Sequence, residues 1–184
     1  MKIIPTGIDQ LVEIIPYELE DNRGWFVELF KEDFFKANNL NYTFVQDNKS
    51  FSKKGVVRGL HMQLDPHAQA KLVSVIQGKV LDVVVDLRKG SKTFSEVYYC
   101  VLDGSRHNML LVPPGFAHGF AAMEDSIFFY KCSNHYNKDS EIGLIWNDPQ
   151  LNIDWQLSHP IISEKDMQLP TMAELLGKSV ISRN

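Results

Sequence analysis

Lys71-Leu72-Val73-Ser74-Val75-Ile76-Gln77-Gly78-Lys79-Val80-Leu81-Asp82-Val83-Val84-Val85-Asp86-Leu87 is the stretch that decides the fold. Residues 72–76 and 80–87 are β-branched runs too short for ordinary helices, and Gln77-Gly78 reads as a tight turn joining them as partner strands. Downstream the texture repeats: residues 94–102, closed by Asp103-Gly104, then residues 109–112 and 127–132. Turn signals every roughly 8–12 residues predict an all-β, cupin-like jelly roll, barrel or sandwich, in which double-sheet closure removes open strand edges. Helix is sparse. Residues 31–38 carry a helical pattern with Phe34 and Phe35 on a packing face, and residues 172–176 predict a short helix stopped by Gly177. Residues 180–184 read as a mobile tail.

The chain has 184 residues, which suits one domain spanning 1–184 with a sizeable core. There is no βαβ alternation and no glycine fingerprint, so a dinucleotide-binding fold is unsupported. A formal charge of -4 argues against a nucleic-acid partner. An anionic ligand would then be held by a few local cations. The opening Met-Lys-Ile-Ile-Pro-Thr-Gly lacks an apolar signal core, and no apolar run approaches membrane-spanning length. Cys100 and Cys132 lie in apolar strand-like surroundings and read as buried reduced thiols, so a cytoplasmic location is expected.

Polar residues gather in four places: 21–28, 46–48, 58–71 and 113–120 followed by Tyr130-Lys131. In an extended chain His61 and Gln63 share a face. Lys71 opens the next apolar run and can stand at the barrel mouth. A His, a Lys and a Tyr around one cavity supply a base, an oxyanion stabiliser and an acid. Taken singly, each also fits a plainer role, such as a satisfied histidine or a solvated lysine. Arg23 and Arg58 suit a phosphate, since guanidinium offers a bidentate fork, but lone surface ion pairs look the same in sequence. Trp25 and Phe26 fit the core better than a base-stacking platform. A metal-binding cupin is the competing use of His61-x-Gln63 and His118. However, Gln63 stands where a second histidine is usual and amides are weak transition-metal ligands, so no metal is expected.

Taken together, the motifs resemble the dTDP-4-dehydrorhamnose 3,5-epimerases of the dTDP-L-rhamnose pathway. The resemblance runs from about Ile14 through Asp166. It is carried by Arg23-Gly24-Trp25-Phe26-x-Glu28, Phe44-Val45-Gln46-Asp47-Asn48 and Val57-Arg58-Gly59-Leu60-His61-x-Gln63. Further motifs are Lys71-Leu72-Val73, Asp82-Val83-x-Val85-Asp86-Leu87-Arg88, Pro114-Gly115-Phe116-Ala117-His118-Gly119-Phe120, Tyr130-Lys131, Trp146-x-Asp148, Ile153-Asp154-Trp155 and Ser163-x-Lys165-Asp166.

The resemblance implies a cupin jelly roll, normally a homodimer, with a dTDP-linked 4-keto sugar inside the barrel and no cofactor. It implies His61 as general base paired with Asp166, Tyr130 as general acid, and Lys71 facing the C4 oxygen. It places Arg23, Glu28, Gln46, Asp47, Asn48, Arg58, His118, Glu141 and Lys165 at substrate contacts, with Arg23 or Glu28 reaching across a dimer. Two departures stand out. His135-Tyr136 replaces a pair of tyrosines, the first of which can stack on the nucleotide base, and Met62 replaces a more usual Phe.

The implied chemistry is self-consistent. A C4 ketone acidifies the hydrogens at C3 and C5, a base removes them, a cation stabilises the enolate, and an acid on the opposite face inverts each centre. No hydride moves. The rival readings are a mono-epimerase acting at C3 or C5 only, a non-catalytic sugar-nucleotide-binding cupin, and a metal-dependent cupin.

Overall fold

Alternating apolar residues along the chain build two facing antiparallel sheets in the computed structural model, which describes residues 1–181. The first sheet runs β1 (Lys2–Pro5), β2 (Val12–Ile15), β10 (Met109–Val112), β7 (Lys71–Gln77), β12 (Ser126–Cys132) and β5 (Gln46–Ser52). The second runs β13 (Glu141–Gly143), β6 (Val57–Gln63), β11 (Phe116–Ala122), β8 (Lys79–Asp86) and β9 (Val97–Asp103). A separate hairpin pairs β3 (Glu18–Asp21) with β4 (Gly24–Val27). With three short helices at the periphery, this is the expected jelly roll.

The decisive stretch folds differently from its sequence reading in one respect. β7 and β8 are consecutive but do not pair: β7 lies between β10 and β12, and β8 between β11 and β9. The Gln77-Gly78 turn is a corner where the chain crosses from one sheet to the other. Gly78 has φ +83, and a Cβ there would lie 2.3 Å from the Asp125 carbonyl oxygen. The corner's polar groups are also claimed by other strands. Lys79 N donates to Ser126 Oγ at 3.1 Å, and Gly78 O accepts from Gly104 N at 3.0 Å. A two-residue hairpin would instead have Lys79 N donating across the turn to Ile76 O.

Residues 80–86 are buried throughout, and period-two alternation explains why. Val80 and Val84 point between the sheets, where they meet Val73, Val75, Leu110, Val112, Phe120 and Phe128. Leu81, Val83 and Val85 point outward into a second cluster with Val57, Leu60, Met62 and Trp155. That outer face is covered by α3 (Met172–Gly177), whose start is fixed by a Thr171–Glu174 capping box. Met172 and Leu175 of α3 belong to the same cluster. On the other side, α1 (Glu32–Ala37) buries Phe35 against Leu72, Met109 and Leu111, while Phe34 packs at the edge.

The third predicted strand begins at Val97, not at 94. The hydroxyls of Ser91 and Thr93 donate to the buried Asp86 carboxylate, which holds this segment in turns. The tail expected to be mobile starts ordered: Ile181 is buried and Val180 packs against the same cluster, because both are apolar and the outer face of the second sheet is open to them. Residues 182–184 lie outside the described set. Cys100 and Cys132 are buried free thiols.

Candidate active site

The polar residues of β6 converge through an irregularity in its ladder. On β11, His118 and Phe120 are two positions apart, but their partners on β6, His61 and Arg58, are three apart. The extra residue makes a bulge at Gly59-Leu60. Regular alternation would put Arg58 and His61 on opposite faces. The bulge returns both to the interior side, while Val57, Leu60 and Met62 point into the outer cluster. Glycine is required here: a Cβ on Gly59 would lie 2.7 Å from Gly119 Cα, and one on Gly119 would lie 2.6 Å from Arg58 O.

His61 Nε2 lies 2.8 Å from Asp166 Oδ1, and Asp166 Oδ2 accepts from Gly59 N at 3.3 Å. Asp166 sits on α2 (Glu164–Met167), a one-turn helix that sequence reading missed because it is too short to show a period. Ser163 caps it, accepting from Asp166 N at 3.1 Å. Burial alone would raise the Asp166 carboxyl, but the bonds from His61 and Gly59 outweigh it and hold the group below the usual carboxylate range. An ionised Asp166 only accepts, so His61 carries its proton on Nε2 and leaves the Nδ1 lone pair free.

Lys71 and Tyr130 come from the opposite sheet. Together with His61 they line two adjoining cavities of about 320 and 170 Å³. The larger also takes in Arg58, His118 and Lys165, and the smaller takes in Gln46, Asn48, Tyr136 and Glu141. Burial pushes the Lys71 amine down and the Tyr130 phenol up, so the phenol keeps its proton at neutral pH. Arg58 donates from Nε to Ser52 Oγ at 2.9 Å and from Nη2 to Phe51 O at 3.1 Å. Glu141 accepts from Tyr136 Oη at 3.1 Å and pairs with Lys165. Its carboxyl would be raised by burial, yet the Lys165 bond keeps it low.

Three expected contacts lie elsewhere. Asp47 sits between inward-facing Gln46 and Asn48, so alternation turns it outward, where Lys131 Nζ donates to it at 2.8 Å. Arg23 is on the β3–β4 hairpin, largely exposed and paired with Asp21, and neither it nor the exposed Glu28 lines these cavities. His135 is exposed, and it is Tyr136 that reaches the smaller cavity.

Sequence reasoning also missed two lining or supporting groups. Cys132 lines the smaller cavity beside Lys71, its register partner. Asp82 holds His118, with Oδ2 accepting from Nε2 at 2.8 Å. Its signal was present in sequence as an acid flanked on both sides by apolar strand residues. Gln63, weighed as a ligand, is fully committed: Nε2 donates to His67 O at 2.6 Å and His135 O at 3.2 Å, and Oε1 accepts from Asn137 N at 2.7 Å. Among the described residues, no three His, Cys, Asp or Glu side chains are grouped to hold a metal. Two larger cavities lie around Arg88 and Lys89 at another part of the barrel, but Arg88 is already tied to Asp86 and no histidine or tyrosine lines either.

The family model for dTDP-4-dehydrorhamnose 3,5-epimerase matches residues 5–174. The chain is 43% identical over 169 residues to the dTDP-4-dehydrorhamnose 3,5-epimerase of Shigella flexneri, covering 91% of this chain and 93% of the relative. The crystal structure of the enzyme of that name from Elizabethkingia anophelis superposes with a TM-score of 0.90 at 45% identity, covering 95% of this chain and 97% of that one. A Legionella pneumophila dTDP-6-deoxy-D-glucose-3,5-epimerase, solved in complex with dTDP-4-keto-L-rhamnose, superposes with a TM-score of 0.92 at 40% identity over 100% of this chain and 98% of its own. With a fold, a motif order and a family match that agree over nearly its whole length, the chain belongs to the dTDP-4-dehydrorhamnose 3,5-epimerase family and is a carbohydrate isomerase.

Proposed function

We propose that this chain converts a dTDP-linked 4-keto-6-deoxy-D-glucose to the 4-keto-L-rhamnose form by removing and returning the protons at C3 and C5. The observation that carries the reading is one cavity shared by His61, Lys71 and Tyr130, with a carboxylate behind the imidazole. His61 Nδ1 takes the proton, and Asp166 fixes the tautomer and stabilises the imidazolium. Lys71 sets positive charge where the C4 oxygen becomes an enolate, a contribution of about 3–4 kcal/mol for one such donor. Tyr130, on the opposing sheet, returns a proton from the other face and inverts the centre. Arg58 stands at the cavity as a grip for the diphosphate.

A second copy completes the site in this reading. Tyr17, Leu19, Trp25 and Phe26 of the hairpin region are each about two-thirds exposed, a large apolar surface for a monomer. A homodimer would cover it and carry Arg23 and Glu28 into the partner's cavity. Among the described residues no helix is long and apolar enough to cross a membrane. The two buried free thiols fit a reducing, cytoplasmic setting.

The test is to mix the protein with dTDP-4-keto-6-deoxy-glucose in deuterated water and follow C3 and C5 by proton NMR. Deuterium at both carbons with the L-sugar as product is expected. Label at one carbon alone would make the chain a mono-epimerase, and tight binding without label a binding module.

A further inference from the structure

Asp82 is fully buried on the inward face of β8, between Val80 and Val84. Its Oδ2 is engaged by His118, but Oδ1 is sealed from solvent and has no hydrogen-bond partner. A native structure rarely leaves a carboxylate oxygen in that state without a compensating charge nearby. In the same interior the Lys71 ammonium makes no hydrogen bond or ion pair with a described residue. An unbonded carboxylate oxygen and an unbonded ammonium thus share the space between the sheets.

The groups facing Lys71 narrow what can balance it. Strand β12 presents the Cys132 thiol and the Tyr130 phenol, both pushed up by burial and so neutral at pH 7. β13 presents Glu141, already paired with Lys165 of α2 and bonded by Tyr136. Asp166, also of α2, is taken by His61 and Gly59. β6 adds His61 and the cation Arg58, β11 adds His118, and β5 adds the neutral Gln46, Asn48 and Ser50. On β10 the register partner of Lys71 is Val112. Glu141 and Asp82 are the two carboxylates that act on Lys71, and of these only Asp82 has an oxygen that nothing else engages.

We propose that Asp82 is a positioning residue for the epimerisation: its buried carboxylate is the counter-charge that keeps Lys71 an ammonium in the cavity, while its other oxygen fixes His118. Burial drives the Asp82 carboxyl up and the Lys71 amine down, and each charge opposes the other's shift. The inference rests on the assignment of Lys71 to the sugar's C4 oxygen, and its test separates the two.

Asp82→Asn keeps an acceptor for His118 and removes only the charge. Deuterium exchange at C5 is measured from pH 6 to 10 in both proteins, alongside NMR of 13C- and 15N-labelled lysine. Removing the anion lowers the pH at which Lys71 loses its proton. The alkaline fall in rate therefore moves at least about one pH unit lower, giving a tenfold deficit above the new limb. In a Lys71→Arg background, where the cation cannot deprotonate, the shift disappears. Superimposable rate limbs with an unchanged Lys71 resonance overturn the proposal. Superimposable limbs with Lys71 neutralised uphold the counter-charge and instead overturn the placement of Lys71 at the enolate. If Asp82→Asn does not fold, spectra of wild-type protein labelled with 13C at aspartate as well as at lysine decide. An ionised Asp82 carboxyl 13C signal with a charged Lys71 at pH 7 supports the pairing, and either group neutral refutes it.

Discussion

Asp166→Asn isolates what the carboxylate does for His61, and the geometry sets its size. The carboxylate accepts twice, from His61 Nε2 at 2.8 Å and from Gly59 N at 3.3 Å. An amide has only one oxygen. If that oxygen turns to Gly59, the amide NH2 meets His61 and donates to Nε2, which forces the ring proton onto Nδ1 and removes the base. If it turns to His61, the NH2 faces the Gly59 N–H and two donors clash in a site where Asp166 is only 4% exposed. In both orientations the negative charge behind the imidazolium is gone. The same exchange in a hydrolytic triad costs roughly 10⁴-fold in kcat, about 5.5 kcal/mol, so a loss of roughly 10³ to 10⁴ is expected here. The assay is deuterium uptake at C3 and C5 under saturating substrate, with folding checked by thermal melt. Both carbons should slow in parallel, because one base serves both. A folded variant that exchanges within tenfold of the wild type at either carbon refutes the argument.

Three further outcomes are expected. Tyr130→Phe should impair inversion more than exchange, since an enolate can still be reprotonated on its original face; the product's C5 configuration, read by NMR, decides this, and full inversion removes Tyr130 as the acid. Gly78→Ala should lower the melting temperature sharply, because its Cβ would stand 2.3 Å from a backbone oxygen at a positive φ; an unchanged melt means the corner can relax. For Asp86, burial raises the carboxyl but the bonds from Arg88, Ser91 and Thr93 outweigh it, leaving it depressed. A depressed carboxyl stabilises the fold above its unfolded pKa of about 3.9, and that stability is lost as pH falls through the lower folded value. Urea midpoints should therefore drop below about pH 4 in the wild type and change less over that range in Asp86→Asn.

The strands were legible as short apolar runs set between turn signals, as in residues 72–76 and 109–112. Pairing was less so. Nothing in Gln77-Gly78 distinguishes a hairpin from a corner, since the deciding contacts come from Asp125, Ser126 and Gly104, far along the chain. The same limit applies to the site. His61 and Gln63 share a face by simple counting, but Arg58 joins them only through a bulge that counting cannot locate. Asp166 lies 105 residues from His61, and only the family resemblance joined them in advance. The position of Asp47 was open to counting: of three consecutive residues on a strand, the middle one must face away from its neighbours. The resemblance outweighed that rule in the expectation, and the side chain lies outside.

The amide of Gln63 clasps the loop that carries His135 and Tyr136, and it does so through main-chain atoms alone: His135 O and Asn137 N. Every amino acid supplies those atoms except proline at position 137. The loop can therefore change its side chains without loosening its tether to the strand that bears His61. Side chains at the mouth of the smaller cavity are in this way free to change while the backbone that carries them keeps its place beside the strand of the imidazole.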